Sequence, residues 1–141
     1  MEIFGKAIRE YLWPIRYYVI ASLVVVVSQY YIALPLSAQY PFVLNVTQAL
    51  WALFVALSVV KLVKNCSFNM KNVLFLGVLY SFIIHGTKAF FFRVFLFPYS
   101  GTFEEIAEKI IWKFVYGSFL VFAIVVIIGI VFIYSKKKGL L

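Results

Sequence analysis

The sequence predicts an all-α integral membrane protein: a bundle of four transmembrane helices preceded by an amphipathic helix at the membrane interface. Of the 141 residues, 65% are hydrophobic and only 13% are charged, whereas soluble domains are about 45–50% apolar and about 25% charged. The mean hydropathy is +1.03. Four stretches are each as long as the ~20 apolar residues that cross a bilayer as a helix. We therefore expect a single membrane domain over residues 1–141.

Polar or turn-forming residues separate the four apolar stretches. The spans are predicted over residues 17–36, 41–63, 73–97 and 110–134. Pro41 suits the first turn of the second helix, where its missing N–H costs nothing. The segment 64–72 is a polar linker between the second and third spans. Thr102 followed by Glu105 has the spacing of a capping box at the start of the fourth helix.

The segment before the first span is amphipathic. Apolar side chains recur at helical spacing over residues 2–14, from Ile3 to Leu12, and charged side chains take the opposite face. This pattern is typical of a helix that lies in the membrane interface. Pro14 is expected to bend the chain from this helix into the first span.

The distribution of basic residues predicts the orientation in the membrane. One side of a four-span arrangement collects Lys6, Arg9, Arg16, Lys61, Lys64, Lys71, Lys136, Lys137 and Lys138. The positive-inside rule therefore predicts that both termini are cytoplasmic, with the plasma membrane as the expected location. The net charge of +8 is expected to attract anionic lipid headgroups at the inner face. It does not indicate nucleic-acid binding, because the basic residues are spread over three short segments and form no recognition module.

Polar side chains inside the first two spans lie on stripes that also carry small residues. The first span has Gln29, and the second has Asn45, Gln48, Ala52 and Ala56 on one face. Such stripes pack helices together in membranes. Because Gln29 and Gln48 have similar predicted depths, we expect Gln29 to form a hydrogen bond with Gln48 or with Asn45 across the hairpin.

The third span carries the least usual residues. Gly77, Ser81, His85 and Lys88 follow one another at intervals of four, four and three residues, so they share a face of an α-helix. Gly77 and Ser81 are expected to pack closely against another helix. Arg93 is expected to point elsewhere and to form an ion pair with Glu108 or Glu105 across the hairpin.

Lys88 and His85 admit two interpretations. In the first, Lys88 extends towards the outer surface and His85 is hydrogen-bonded within the bundle. In the second, the two residues belong to a binding site, because an ionisable side chain inside a span is a functional hypothesis by default. The other members of that site are Gln29, Asn45, Gln48 and Tyr116. Such a pocket would be positive and would suit a phosphate, an anionic headgroup or a small anion.

The usual catalytic groups are missing from the spans. The chain has no aspartate, and none of its five glutamates lies in a predicted span, which removes paired-carboxylate catalysis. One histidine and one cysteine are too few for a zinc site. We therefore expect no enzyme activity, no metal and no cofactor. One alternative stays open, in which His85 is an axial ligand of a haem shared with a partner chain.

Two functions remain. The first is a non-catalytic subunit or scaffold of a hetero- or homo-oligomeric membrane complex. The second is a small carrier, channel or lipid-binding protein for an anionic solute or headgroup. The direction of the Gly77–Lys88 face separates them: facing outward it would be a surface for partner subunits, whereas facing the other polar stripes it would complete a pocket.

Overall fold

Four long helices form most of the chain in the computed structural model, which describes residues 1–141. They are α1 (Ile8–Leu36), α2 (Phe42–Asn65), α3 (Met70–Leu96) and α4 (Phe103–Lys137). Each is long and apolar enough to cross a membrane, by length and composition. The predicted all-α fold with four such helices is confirmed. All four helices begin or end a few residues away from the predicted limits, and α1 and α4 are the most extended.

The helices alternate in direction because the links between them are short, at residues 37–41, 66–69 and 97–102. Lys136, near the end of α4, donates to the backbone oxygens of Val63 and Lys64 at the end of α2, at 2.9 and 3.1 Å. Asn72, at the start of α3, donates to the Tyr11 hydroxyl at 2.8 Å. We call this end, where both chain termini lie, the terminal end. The other end, with the links 37–41 and 97–102, is the loop end.

The core lies where α2 meets α3 and α4. Trp51 and Val55 of α2, Tyr80 of α3 and Val121 of α4 are all fully buried. One polar pair crosses this core, because the Tyr80 hydroxyl donates to Ser58 Oγ at 2.7 Å. The Ser58 hydroxyl in turn donates to the backbone oxygen of Val55 at 2.6 Å. The buried hydroxyls are thus satisfied, as buried polar groups usually are.

The N-terminal segment does not form the interfacial helix predicted over 2–14. Glu2–Ile3 (β1) and Lys6–Ala7 (β2) instead form a small antiparallel hairpin. Its turn residues Phe4 and Gly5 have φ angles of 52° and 77°. A right-handed helix cannot pass through two residues in this region of backbone space. That part of the prediction is wrong, because the apolar spacing was read without the turn that Gly5 permits.

The rest of the predicted interfacial segment is continuous with α1. Helical structure begins at Ile8 and passes through a 3₁₀ turn at Trp13–Ile15. Pro14 lies in the first turn of that 3₁₀ segment, where proline is tolerated, so it does not end the helix. Tyr11 is fully buried, with Phe68 and Phe75 in edge-to-face contact at 5.0 Å. Part of the apolar face of this segment therefore packs on protein, whereas Ile8 is 39% exposed.

Asn72 holds the N-terminal hairpin to α3. Its Nδ2 group donates to the backbone oxygen of Phe4 at 3.2 Å and to the Tyr11 hydroxyl at 2.8 Å. We expect Asn72→Ala to lower the free energy of unfolding by about 1–3 kcal/mol, because buried acceptors lose their donor. Thermal unfolding in detergent measures this effect, and faster tryptic cleavage at Lys6 reports release of the hairpin. Asn65→Ala, at an exposed position, is the control and should change neither; equal effects in both variants would contradict the prediction.

Two stretches are wound as π-helix, at Gln29–Ala33 in α1 and at Phe82–Leu96 in α3. Hydrogen bonds in a π-helix run from residue i to i+5, and such windings are frequent at functional sites. Residues five apart therefore lie on nearly the same face. In α3 this applies to Lys88 and Arg93, which an α-helix would point in different directions.

The seam between α3 and α4 is close because it contains small residues. A Cβ atom added at Gly77 would lie 2.7 Å from the Phe122 ring. Ser81 Oγ contacts the backbone oxygen of Gly77 in its own helix at 2.8 Å and that of Ser118 in α4 at 3.1 Å. The Gly77–Ser81 stripe therefore faces α4 inside the same chain.

Candidate functional site

A polar cavity of about 330 Å³ lies at the loop end, and all four helices contribute to its wall. It is lined by Gln29, Tyr30, Leu34, Leu44, Asn45, Gln48, Arg93 and Lys113. Two of these side chains are cations, three are amides and none is acidic. The cavity therefore presents positive charge together with hydrogen-bonding amides.

The three predicted amides do meet at this cavity, but the predicted bond between them is not formed. Gln29 Oε1 is buried and has no hydrogen-bond partner. Gln48 Oε1 instead accepts from the Trp51 indole, one turn further along α2, at 2.5 Å. Asn45 is an exposed residue in the cavity wall. The expectation of a Gln29–Gln48 or Gln29–Asn45 bond was wrong because Trp51 takes the oxygen of Gln48.

Lys88 is buried directly behind the cavity wall, with only 1% of its surface exposed. Its Nζ atom donates to Gln48 Oε1 at 3.3 Å. It also lies 5.0 Å from the centre of the Trp51 ring, which provides a cation–π contact. Lys88 therefore does not extend towards the surface, as the first interpretation of this residue required. Its only polar side-chain partner is a neutral amide.

The contacts of Gln48 turn its amide group into a hydrogen-bond donor for the cavity. Trp51 and Lys88 both donate to its Oε1 atom, so both sites on this oxygen are occupied. The two N–H groups on Nε2 remain for an acceptor. Since Gln48 lines the cavity, Lys88 acts on the cavity by holding this amide in a fixed orientation.

Arg93 reaches the cavity because α3 is π-wound at this point. The guanidinium lies over the rings of Tyr30 and Tyr99, at 5.2 and 4.5 Å. It also donates to the backbone oxygen of Phe97 at 3.4 Å. Its Nε atom is buried without a partner. The prediction that Arg93 points away from the Lys88 face is wrong, because it assumed α-helical spacing.

The predicted ion pair of Arg93 with Glu105 or Glu108 is also not formed. Glu105 instead completes the capping box of α4, accepting from the backbone N–H of Thr102 at 3.1 Å. Glu108 lies beside Tyr99 on a different, open surface. Because capping occupies Glu105 and the π winding turns Arg93 inward, the guanidinium keeps no acidic partner.

Sequence reasoning did not include Lys113 or Trp51 in the site. Lys113 of α4 is half-buried and lines the cavity opposite Gln29 and Gln48. The signal was present, because Lys113 lies inside the predicted fourth span, where an ionisable residue is a functional hypothesis. No comparable signal exists for Trp51, since a tryptophan in an apolar helix is ordinary core.

His85 lies near the cavity without lining it. The imidazole is 5% exposed and in edge-to-face contact with Trp51, at 5.7 Å between ring centres. Gly117 of α4 makes room for it, because a Cβ atom at this position would overlap the ring. Neither imidazole nitrogen has a hydrogen-bond partner. A haem shared with a partner chain does not fit here, since a shared group would need His85 at a free surface.

Tyr116 is not part of the site. Its side chain is 68% exposed and stacks on Trp112 at 5.2 Å. It lies one residue from Gly117, but that step turns it away from the bundle. The prediction that Tyr116 belongs to the pocket is wrong, because the direction of a side chain on α4 depends on which face of that helix packs against the bundle.

The polar faces converge inside the bundle. Gly77 and Ser81 face α4, while His85 and Lys88 face Trp51 and Gln48 of α2. Ala52 and Ala56 are half-buried on α2. Of the two possible directions for the Gly77–Lys88 face, the structure has the inward one.

Comparison with known proteins gave no match. No family profile matches the chain, and no curated sequence or solved structure is significantly similar to it.

Proposed function

We propose that the chain is a multi-pass membrane protein whose loop-end cavity binds an anionic group. Support for membrane insertion comes from the outer surface of the bundle. In the most apolar part of α4 only 17% of the residues are buried, although the mean hydropathy is 2.8. Large apolar side chains such as Phe103, Phe119 and Ile127 are more than half exposed. A surface of this kind is stable in lipid and would associate or precipitate in water.

The orientation we propose has the terminal end in the cytoplasm of a cell, at the plasma membrane. The basic side chains of the N-terminal segment, of the link between α2 and α3 and of the C-terminus all belong to this end. The loop end carries Glu104, Glu105 and Glu108 on the first turns of α4. Basic residues near span ends are retained on the cytoplasmic side.

Cys66 is a natural probe of this orientation, because it is the only cysteine and lies in the link at the terminal end. We expect a membrane-impermeant maleimide to label Cys66 in inside-out vesicles and to leave it unlabelled in right-side-out vesicles. A Cys66→Ser, Ser100→Cys variant should show the reverse pattern. Labelling of Cys66 only from the outside would contradict the proposed orientation.

The proposed function rests on one observation: basic side chains are gathered at a cavity between the four helices without an acidic partner. Arg93 and Lys113 line the cavity, and Lys88 lies directly behind Gln48. Burying an unpaired charge costs several kcal/mol, and these cations also repel one another. An anion in the cavity would offset both costs. A carrier, a channel or a lipid-binding protein for an anionic solute or headgroup would use such a site.

The role of subunit or scaffold, which the sequence favoured, stays a prediction. Its expected assembly surface was the Gly77 stripe. That stripe packs against Phe122 of the same chain, so it gives no support to a surface for partner subunits. We therefore take anion binding as the conclusion.

The test is anion binding by the purified chain in phosphatidylcholine nanodiscs. Two probes are suitable: radiolabelled inorganic phosphate at equilibrium, and phosphatidylglycerol retention in native mass spectrometry. We expect saturable binding of at least one probe, and we expect Arg93→Gln to weaken it about tenfold or more, because a charge-assisted hydrogen bond contributes about 1.5–3 kcal/mol.

The matched control is Lys109→Gln, which removes the same charge at the same end. Lys109 is exposed and does not line the cavity, so binding should be unchanged. Absence of saturable binding of both probes would overturn the proposal. An equal loss of affinity in the two variants would show that the probes bind through general surface charge. That result would also overturn the proposal.

A further inference from the structure

The cavity contains a hydrogen-bond acceptor that a simple anion would leave unsatisfied. Gln29 Oε1 is buried and has no partner, although the residue lines the cavity. A fully deprotonated oxyanion, such as sulfate or the dianion of methyl phosphate, offers only acceptor atoms, which suit Arg93, Lys113 and the Gln48 amide. It has nothing to donate to Gln29. A buried acceptor left without a donor costs about 1–3 kcal/mol. We therefore expect the ligand to carry a hydrogen-bond donor.

The size of the cavity points in the same direction. Its volume of about 330 Å³ corresponds to roughly eleven water volumes at ~30 Å³ each. A bare phosphate or sulfate, with five non-hydrogen atoms, would leave much of this space empty. A phosphate ester of a small polyol has about twice as many non-hydrogen atoms and would fill more of it.

The charged and the neutral polar groups of the cavity come from different helices, and this separation suits such an ester. The two cations come from α3 and α4, at Arg93 and Lys113. The amides come from α1 and α2, at Gln29, Asn45 and Gln48. An oxyanion prefers the guanidinium and the ammonium. A hydroxyl, which is both donor and acceptor, prefers amides, because these offer both partners.

From these observations we infer that the ligand is a hydroxyl-bearing phosphate ester, with its phosphate at Arg93 and Lys113 and a hydroxyl that donates to Gln29 Oε1. The inference rests on the proposed function and names its ligand class. The same chemistry occurs in the headgroup of a membrane lipid such as phosphatidylglycerol and in a free ester such as glycerol 3-phosphate.

The experiment compares esters with and without hydroxyls, using the full chain in phosphatidylcholine nanodiscs. Glycerol 3-phosphate and methyl phosphate are titrated as competitors of radiolabelled inorganic phosphate. We expect glycerol 3-phosphate to bind at least about fivefold more tightly, the lower limit for one buried acceptor gaining its donor. The variant Gln29→Leu should lose this preference.

Two lipids distinguish the source of the ester. Phosphatidylglycerol carries the free hydroxyls, and phosphatidylmethanol is the matched anionic lipid without them. Competition by phosphatidylglycerol but not by phosphatidylmethanol would identify a lipid headgroup. Competition by glycerol 3-phosphate alone would identify a free ester, and both results support the inference.

Equal affinity of the wild-type chain for glycerol 3-phosphate and methyl phosphate would overturn the inference and leave the anion site in place. This comparison needs no variant, so it holds even if Gln29→Leu fails to fold. If no phosphate compound binds and neither lipid is retained, the proposed function itself fails. A preference that persists in Gln29→Leu would refute the role of Gln29.

Discussion

Replacing Lys88 with methionine is expected to remove anion binding while leaving the unliganded protein at least as stable as before. Lys88 is 1% exposed, and its Nζ atom has Gln48 as its only side-chain hydrogen-bond partner. Methionine preserves the length and the apolar stem. Replacing a buried charge by an apolar side chain of similar volume is often neutral or stabilising by about 1–4 kcal/mol.

The loss of binding has two causes. The positive charge behind the cavity disappears, and the Gln48 amide loses one of the two donors that orient it. Removing one member of a buried charge pair typically costs 2–5 kcal/mol or more, so we expect phosphate or phosphatidylglycerol affinity to fall about 30-fold or further. Equilibrium binding measures the loss of affinity, and thermal unfolding without ligand measures the stability of the variant.

Lys109→Met is the matched control, because it removes a lysine at the same end from an exposed position. It should change neither quantity. If Lys88→Met lowered thermal stability and binding together, Lys88 would be a structural residue and the loss of binding would follow from partial unfolding. If Lys88→Met bound anions normally, the lysine would have no part in the site.

Gly117→Ala is expected to produce the largest loss of stability of any single methyl addition in the bundle. A Cβ atom at this position would overlap the His85 imidazole, and this ring is confined on another side by Trp51. Overpacking of a filled interior typically costs 1–3 kcal/mol. The ring also lies one helical turn from Lys88, so its displacement should disturb Lys88 and weaken anion binding as well.

Thermal unfolding of Gly117→Ala in detergent measures this loss, and two further variants establish its cause. Gly86→Ala adds the same methyl group in α3, where the space around the glycine is open. It should be neutral or slightly stabilising, because alanine favours helix by about 1 kcal/mol over glycine. In a His85→Ala background, Gly117→Ala should cost much less, as a double-mutant cycle reveals for residues in contact. Equal costs in both backgrounds would show that the imidazole is not the obstacle.

Composition and spacing were sufficient for the helices and for the three amides that line the cavity. The four apolar stretches and the capping box of Thr102 follow from local chemistry. Lys88, Gln29 and Gln48 stand out in the sequence because polar groups among apolar neighbours are energetically costly. These inferences need no knowledge of which helix packs against which.

The direction of side chains was predicted less well, because it depends on helix winding and on neighbours. Arg93 was expected to point away from the Lys88 face, because side chains five residues apart point in different directions on an α-helix. The π winding of Phe82–Leu96 returns it to the same side. Tyr116 was expected inside and points out, because α4 packs the face that contains Gly117.

The sequence by itself determined the class of this protein: a strongly apolar chain with four helices of membrane-spanning length. Both properties are sums over local residue chemistry, so the order of residues suffices. Only the tertiary structure decided that Lys113 from α4 and Arg93 from α3 line one cavity with the amides of α1 and α2. These side chains lie up to 84 positions apart in the sequence, between Gln29 and Lys113. Their meeting depends on how four helices pack and on a local change in helical pitch, and neither is a property of any one segment.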